Sequence, residues 1–404
     1  RSLYSSPPSH RSTNYVEDAS YVAEDDVPGS TDGWRQERSE RPVSFGVHPE
    51  WDFDAYPNVN HVVDARWVKE VLLENNNFDK PYVIADVGWG PAGDAYNNGH
   101  VPGAIHVNTD EIEYDCFNAR NDWPVDPGEP ACWDRSTTEE EDAAKGLGPD
   151  DSLPRNWWNI YPDQYLLPGI AYMGIDKDTT VVVYGDDQTA AARLVWTLLY
   201  AGVKDVRLME GGYAAWETAG YEGSTEAGER TPVAEFDPEV PGRSVAINPD
   251  YKSEIPYVRD VVSGVEADGV IVDIRTWDEY IGDSENGAPY SYIPTIGRIP
   301  GALWGKAGDG PWTMEAYVNS DNTLVAPAQI ETYWTSQGIT SDKALSYYCG
   351  TGWRSSLAWF YGYMMGYERN YNFDSGWFEW SMGEGSDYAG ADPVLNPIVI
   401  EGPE

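Results

Sequence analysis

Ala344-Leu345-Ser346-Tyr347-Tyr348-Cys349-Gly350-Thr351-Gly352-Trp353-Arg354-Ser355-Ser356-Leu357 changes character twice in fourteen residues. A short β-prone run leads to Cys349, and two glycines then allow a tight loop. From Arg354 the apolar residues recur at helical spacing: Leu357, Ala358, Phe360, Tyr361, Met364 and Met365. Strand, glycine-bearing turn and helix start together make a cradle of backbone N–H groups whose natural occupant is an anion. The residue at its head carries sulfur. A thiol curled over such N–H groups, with Arg354 close by, is expected to react as thiolate. The bland reading is a buried structural cysteine; two loop glycines and a nearby arginine weigh against it.

The loop from Cys349 through Gly350, Thr351, Gly352 and Trp353 to Arg354 resembles the active-site loop of the rhodanese (sulfurtransferase) family. There a cysteine opens a six-residue loop after a strand. The similarity extends to Asn372-Phe373-Asp374-Ser375-Gly376-Trp377-Phe378-Glu379-Trp380, which is like the segment that closes the domain in two-domain members. Val272-Asp273-Ile274-Arg275, with Glu279-Tyr280 and then Gly297-Arg298-Ile299-Pro300-Gly301-Ala302, resembles the family's opening strand and its Gly-His-Ile-Pro-Gly-Ala turn. The resemblance implies an α/β fold of two rhodanese-like domains, each a central, mainly parallel sheet flanked by helices. An extended N-terminal arm would be added to these.

Composition bounds the partners. A chain of 404 residues suits two domains plus extensions. Sixty-eight acidic residues against 26 basic ones give a net charge of −42, and only eight of the basic residues are Lys. Such a surface repels nucleic acid and anionic membrane. It would also repel an anionic substrate unless salt screened it; at about 1 M salt the Debye length is about 3 Å, and local arginines then win over distant carboxylates. Acidic, Lys-poor composition is expected of a halophilic or salt-exposed extracellular protein. No apolar run approaches the roughly 18 residues that span a bilayer. The chain begins at Arg1 rather than Met, which suggests an exported product, secreted or periplasmic, whose signal peptide has been removed. Cys116 and Cys132, 16 residues apart in a Pro- and Trp-rich stretch, could then pair as a disulfide and leave Cys349 free.

In chain order, residues 1–58 are polar and aperiodic, with scattered aromatic anchors such as Tyr4, Trp34, Trp51 and Tyr56. They read as an arm, held by its own subunit or laid across a neighbour; the second choice predicts a homo-oligomer or filament. Residues 59–222 form a first α/β domain. Its readings are a helix Val62 to Leu73, a strand Tyr82 to Ala85, a turn Gly99 to Ile105 with a bracing His100, a strand Thr179 to Tyr184 and a helix Ala190 to Tyr200. Residues 223–246 read as a linker, 247–392 as the second domain and 393–404 as an acidic tail.

The halves align with each other. Tyr184 and Tyr348, Gly202 and Gly366, Gly212 and Gly376, and Trp216 and Trp380 all lie 164 positions apart, without a gap. That is an internal duplication. The same offset puts Gly185 at the Cys349 position and Ala190 at the Arg354 position, so the first copy is a scaffold.

The resemblance implies the chemistry. Cys349 attacks the outer sulfur of a small anionic donor, thiosulfate or 3-mercaptopyruvate, and becomes a persulfide; a thiol or cyanide then takes the sulfur. The cradle of Gly350, Thr351, Gly352, Trp353 and Arg354 stabilises the terminal sulfur as an oxyanion hole does oxygen. Arg275 sits where the family places a substrate-binding arginine, with Asp273 in support. Arg354 is a second anion contact or a loop brace. The loop is like that of mercaptopyruvate-type members, but Trp353 departs from the common patterns. No cofactor is needed beyond the covalent intermediate. Acidic segments such as Gly308-Asp309-Gly310 raise Ca²⁺, yet none has EF-hand spacing, and solvated loops are the simpler reading. Two other functions compete: an assembly protein on the same scaffold, and a Cys-dependent phosphatase, against which the six-residue loop counts because such phosphatases use a longer one.

Overall fold

The computed structural model describes residues 48, 51–52, 54–75, 77–113, 138–146, 158–237, 239–290, 293–383 and 391–402. The paired-cysteine candidates Cys116 and Cys132, and nearly all of the N-terminal arm, lie outside them.

Two five-stranded sheets carry the fold. The first comprises β1 (Val62–Val63), β2 (Tyr82–Gly88), β3 (Ile105–Asn108), β4 (Thr180–Tyr184) and β5 (Asp205–Met209), ordered β1-β5-β4-β2-β3. The second comprises β6 (Lys252–Ser253), β7 (Gly269–Asp273), β8 (Leu303–Trp304), β9 (Ala344–Tyr348) and β10 (Asn370–Phe373), ordered β6-β10-β9-β7-β8. The orders are the same, and every pairing between these strands is parallel. A parallel sheet covered on both faces needs strands that are apolar throughout rather than alternating; all five residues of β4 and of β9 are buried. One expectation needs correcting. Val62 and Val63 are not the first turn of the helix but pair with Leu208 and Met209 as an edge strand; the helical turns run from Ala65 to Leu73 as expected, and Asp64 caps them by accepting from the Trp67 N–H.

The duplication is visible at the level of single bonds. Tyr184, at the end of β4, accepts from the Val101 N–H, and Tyr348, at the end of β9, accepts from the Ile299 N–H. In each repeat a tyrosine therefore pins the Pro-Gly-Ala turn. His100 stacks on Tyr96 at 3.9 Å between ring centroids, and the Arg298 guanidinium lies 4.3 Å from the Tyr280 centroid. His100 is fully buried, with both ring nitrogens on backbone carbonyls, those of Tyr96 and Glu226. It braces the turn.

Helix α1 (Gln188–Ala201) follows β4, and α2 (Gly212–Thr218) follows β5; in the second repeat α3 (Trp277–Ile281) follows β7, α4 (Trp353–Met364) follows β9 and α5 (Gly376–Met382) follows β10. The equivalent helices α1 and α4 pack on each other across the domain boundary. Every residue of α1 is buried, which suits its mostly apolar surface and requires its one charge, Arg193, to find partners inside. One apolar cluster runs from Val181 and Val183 through Trp196 and Leu198 to Leu345, Leu357 and Phe360, so the boundary is core-like.

Gly212 and Gly376 start α2 and α5 at φ +61 and +57. A Cβ at Gly376 would stand 2.6 Å from the Gly350 carbonyl oxygen, and one at Gly212 would stand 2.9 Å from that of Gly185. Backbone cannot yield as a side-chain tip does. Gly376→Ala is therefore expected to cost at least about 2 kcal/mol from strain alone, read as a lower denaturant midpoint.

The segment after each repeat's last helix is not a loose linker or tail. It folds back onto its own turn: Ser224 bridges His100, and Val399 bridges Arg298. The end of the proposed arm likewise rests on its own chain. Trp51 and Tyr56 are buried, Tyr56 donates to Glu331, and the Asn58 N–H donates to the Met364 carbonyl.

Candidate functional site

Strand β9 delivers the chain to Cys349 at the C-terminal end of the parallel sheet, between β7 and β10. Gly352, at φ +89, turns the chain into α4 and leaves the helix with no side-chain cap. Among the described residues, the backbone N–H groups of Gly350 through Ser355 donate to no protein acceptor. The Cys349 sulfur is not an acceptor either, which corrects the expectation that the thiol itself curls onto them. Cys349 is 2% exposed. Gly350 is close-packed, and a Cβ there would touch Tyr290 and Ile293 at 3.3 and 3.4 Å; Thr351 and Trp353 are half-buried.

The first repeat shows what an occupied version looks like. Asp187 stands at the Thr351 position, and its carboxylate accepts from the Thr189 N–H at 2.8 Å. A residue of the second domain closes the same loop: Asn322 donates from its side chain to the Asp186 carbonyl at 2.9 Å and accepts from the Gly211 N–H at 2.9 Å. In the first repeat a carboxylate thus takes the Thr189 N–H, the equivalent of the Trp353 N–H that no side chain meets in the second.

Arg354 is a brace. It is buried and makes two 3.0 Å bonds to Glu279, one from each terminal nitrogen. Burial opposes its charge, but the Glu279 carboxylate outweighs burial, with Tyr290 and Cys349 adding, so its proton is held more tightly than usual. Glu279 is itself fixed by a reciprocal cap with Thr276 at the start of α3. Burial alone would raise its carboxyl, yet Arg354 holds it below the ordinary range.

The expected substrate-binding role of Arg275 is not what its surroundings provide. The side chain is 1% exposed and bonds Asp273 twice, at 2.8 and 2.6 Å, and the Gly297 carbonyl at 2.8 Å. A guanidinium so engaged ties the end of β7 to the Gly297 turn. Asp273 also accepts from the Tyr348 hydroxyl, so its part is to hold Arg275 and β9 together.

Three further residues meet at the site, and two of them, Arg193 and Glu113, carried no sequence signal. Arg193, from α1 of the first domain, is fully buried and reaches the Asp374 carboxylate at 2.5 Å, Glu113 at 2.9 Å and the Gly352 carbonyl at 3.3 Å. Glu113 accepts from the Trp353 indole at 2.9 Å. Asp374 accepts from the Ile160 N–H at 2.8 Å. Burial pushes the Glu113 carboxyl up to about 8 although Arg193 pulls the other way; Asp110 and Asp374 add to the rise. Arg193 lies 159 positions from Gly352, and only the packing of α1 on α4 brings them together.

Among the described residues no group of three or more His, Cys, Asp or Glu is placed to hold a metal ion. At Gly308-Asp309-Gly310, Glu315 is bonded to Thr313. No helix of the described residues is long and apolar enough to cross a membrane.

Comparison with known proteins agrees with this architecture. The rhodanese-like domain profile matches residues 64–219 and 258–382. The chain is 32% identical over 328 residues to the thiosulfate sulfurtransferase YnjE of Escherichia coli, covering 80% of this chain and 64% of that protein. It is 31% identical over 330 residues to the sulfur carrier protein TtuD of Thermus thermophilus, covering 81% of this chain and 94% of the other. The crystal structure of an anaerobic ergothioneine biosynthesis enzyme from Chlorobium limicola, in complex with trimethyl histidine, is similar at 30% identity. Its TM-score is 0.66, over 86% of this chain and 71% of that one. With two equivalent sheets, matching turns and a cysteine at the head of an open loop in the second repeat, the chain belongs to the rhodanese-like family.

Proposed function

We propose that the protein is a sulfurtransferase working through a persulfide on Cys349. The thiolate attacks the sulfane sulfur of thiosulfate; the new S–S bond forms as the old one breaks, and sulfite leaves with the electron pair. With 3-mercaptopyruvate the leaving group is the enolate of pyruvate. A thiol or cyanide then takes the outer sulfur and regenerates the thiolate. The observation that supports this reading is the run of open N–H groups from Gly350 to Ser355, directly after the cysteine. Negative charge on an outer sulfur bonded to Cys349 would find donors there, and such donors favour the charged state as it develops. Intact-mass measurement after exposure to each donor separately tests it: a gain of about 32 Da at Cys349 is expected, and no adduct from either donor would remove the proposal.

A second acceptor class has one observation in its favour. Tyr290, beside Gly350, meets the exposed Trp312 edge to face at 4.6 Å. Aromatic faces attract quaternary ammonium groups, and the ergothioneine enzyme carries trimethyl histidine. Trimethyl histidine added to the persulfidated protein should then take up the sulfur; a persulfide that survives it unchanged would discard this acceptor.

The net charge of −42 sets a condition on either chemistry. A donor anion approaches against that field unless salt screens it. Sulfur transfer is therefore expected to persist at about 1 M NaCl, measured as thiocyanate release across a salt series, and collapse of activity there would contradict a salt-adapted protein.

A further inference from the structure

The first domain lacks the cysteine, yet it is not a passive scaffold. Its Arg193 and Glu113 meet the two residues that open helix α4 beneath Cys349. Arg193 donates to the Gly352 carbonyl at 3.3 Å, and Glu113 accepts from the Trp353 indole at 2.9 and 3.1 Å. The two are joined by a 2.9 Å ion pair, and neither side chain is exposed to solvent. The peptide between Gly352 and Trp353 is planar and trans, so its C=O and N–H point in opposite directions. Whatever fixes the Gly352 carbonyl also fixes the Trp353 N–H, one of the open donors of the cradle.

We propose that Glu113 and Arg193 are positioning residues for sulfur transfer: from the first domain they set the aim of the amide cradle in the second. This rests on the reading of Cys349 as the reacting thiol. Neither residue touches the donor; both act through Gly352 and Trp353.

The clamp has two states. As a carboxylate, Glu113 bonds Arg193 through one oxygen and accepts the indole N–H with both. Once protonated, it turns one oxygen into a donor and loses its charge, so one of those bonds weakens. The charged groups facing it are Arg193, which favours the carboxylate, and Asp110 and Asp374, which disfavour it together with burial. The change falls near pH 8. A raised folded value means the clamp is tight above that pH and loosens as pH falls through it.

The test compares wild type with Glu113→Gln, loading thiosulfate in a single turnover and reading persulfide by intact mass from about pH 6 to about pH 9. Gln is held uncharged throughout. The variant should match wild type at the acid end and load about tenfold to a hundredfold more slowly at the alkaline end, the scale of a small misplacement of reacting groups. Donor affinity should be unchanged. Equal rates across the range would overturn the proposal. Where Glu113→Gln does not fold, judged by its melting curve, Trp353→Phe decides. It removes the indole donor while keeping a smaller aromatic ring and should show the same alkaline deficit; a wild-type profile there overturns the clamp equally. Failure of wild type to take sulfur at Cys349 would instead refute the underlying reading.

Discussion

Cys349→Ser should take up no sulfur from thiosulfate or 3-mercaptopyruvate and release no thiocyanate above background, a fall of at least about a thousandfold. The reason is chemical rather than structural. A serine hydroxyl is far less nucleophilic than a thiolate, and the cradle contributes nothing until an outer atom is bonded to the residue in front of it. Cys349 is 2% exposed, and exchange of sulfur for oxygen there keeps the volume nearly constant, so the melting temperature should move little. Cys116 and Cys132 provide the control. The double variant Cys116→Ser/Cys132→Ser should still gain the persulfide, because neither belongs to the loop. Undiminished thiocyanate production by Cys349→Ser would place the chemistry at another group and end the sulfurtransferase reading at this site.

Arg354→Ala should be the most destabilising change at the site, by about 3–5 kcal/mol, because it leaves the Glu279 carboxylate buried without its partner. Glu279 is 1% exposed and meets Arg354 through both oxygens. The pH dependence follows from its direction of shift. Its folded carboxyl is held below the ordinary value, so at acid pH the unfolded chain binds the proton first. The pair's contribution is complete above the unfolded carboxylate range of about 4.3 and is lost as pH falls through the lowered folded value. Denaturant midpoints measured from neutral pH downward should therefore drop more steeply for wild type than for Arg354→Ala. Replacing both partners by leucine should recover much of the loss, since a satisfied ion pair and a packed apolar pair differ little. An Arg354→Ala midpoint equal to wild type at neutral pH would show that Glu279 finds water or another donor.

The ion pairs at the site divide the work differently from the family resemblance. Arg275 and Arg354 both face a carboxylate two-handed, Asp273 and Glu279 respectively. With both cations neutralised locally, the groups beside Cys349 that can still attract an anion are the open backbone amides.

Much of this was legible in one dimension. The 164-residue offset predicts that Tyr184 and Tyr348 do the same job, and each does pin its turn. The run Thr179 to Tyr184 reads as a strand, and Thr180–Tyr184 is one. Cys349, its glycines and the helix after them are local neighbours, so their geometry follows from chain connectivity. Short β1 escaped because two valines before a helical pattern look like its first turn; only pairing with β5 distinguishes them. The segments after each repeat's last helix escaped for the same reason, since a strand-like bridge such as Arg298 to Val399 depends on a partner about a hundred residues away.

What tertiary structure alone decided is which charges meet. Local spacing specifies strands, turns and helix starts, because those depend on backbone torsions and on neighbours a few residues off. Whether Arg275 faces a substrate or Asp273, and whether Arg193 of one domain reaches Gly352 of the other, depends on how α1 and α4 pack, and a buried guanidinium goes wherever burial has left it a carboxylate.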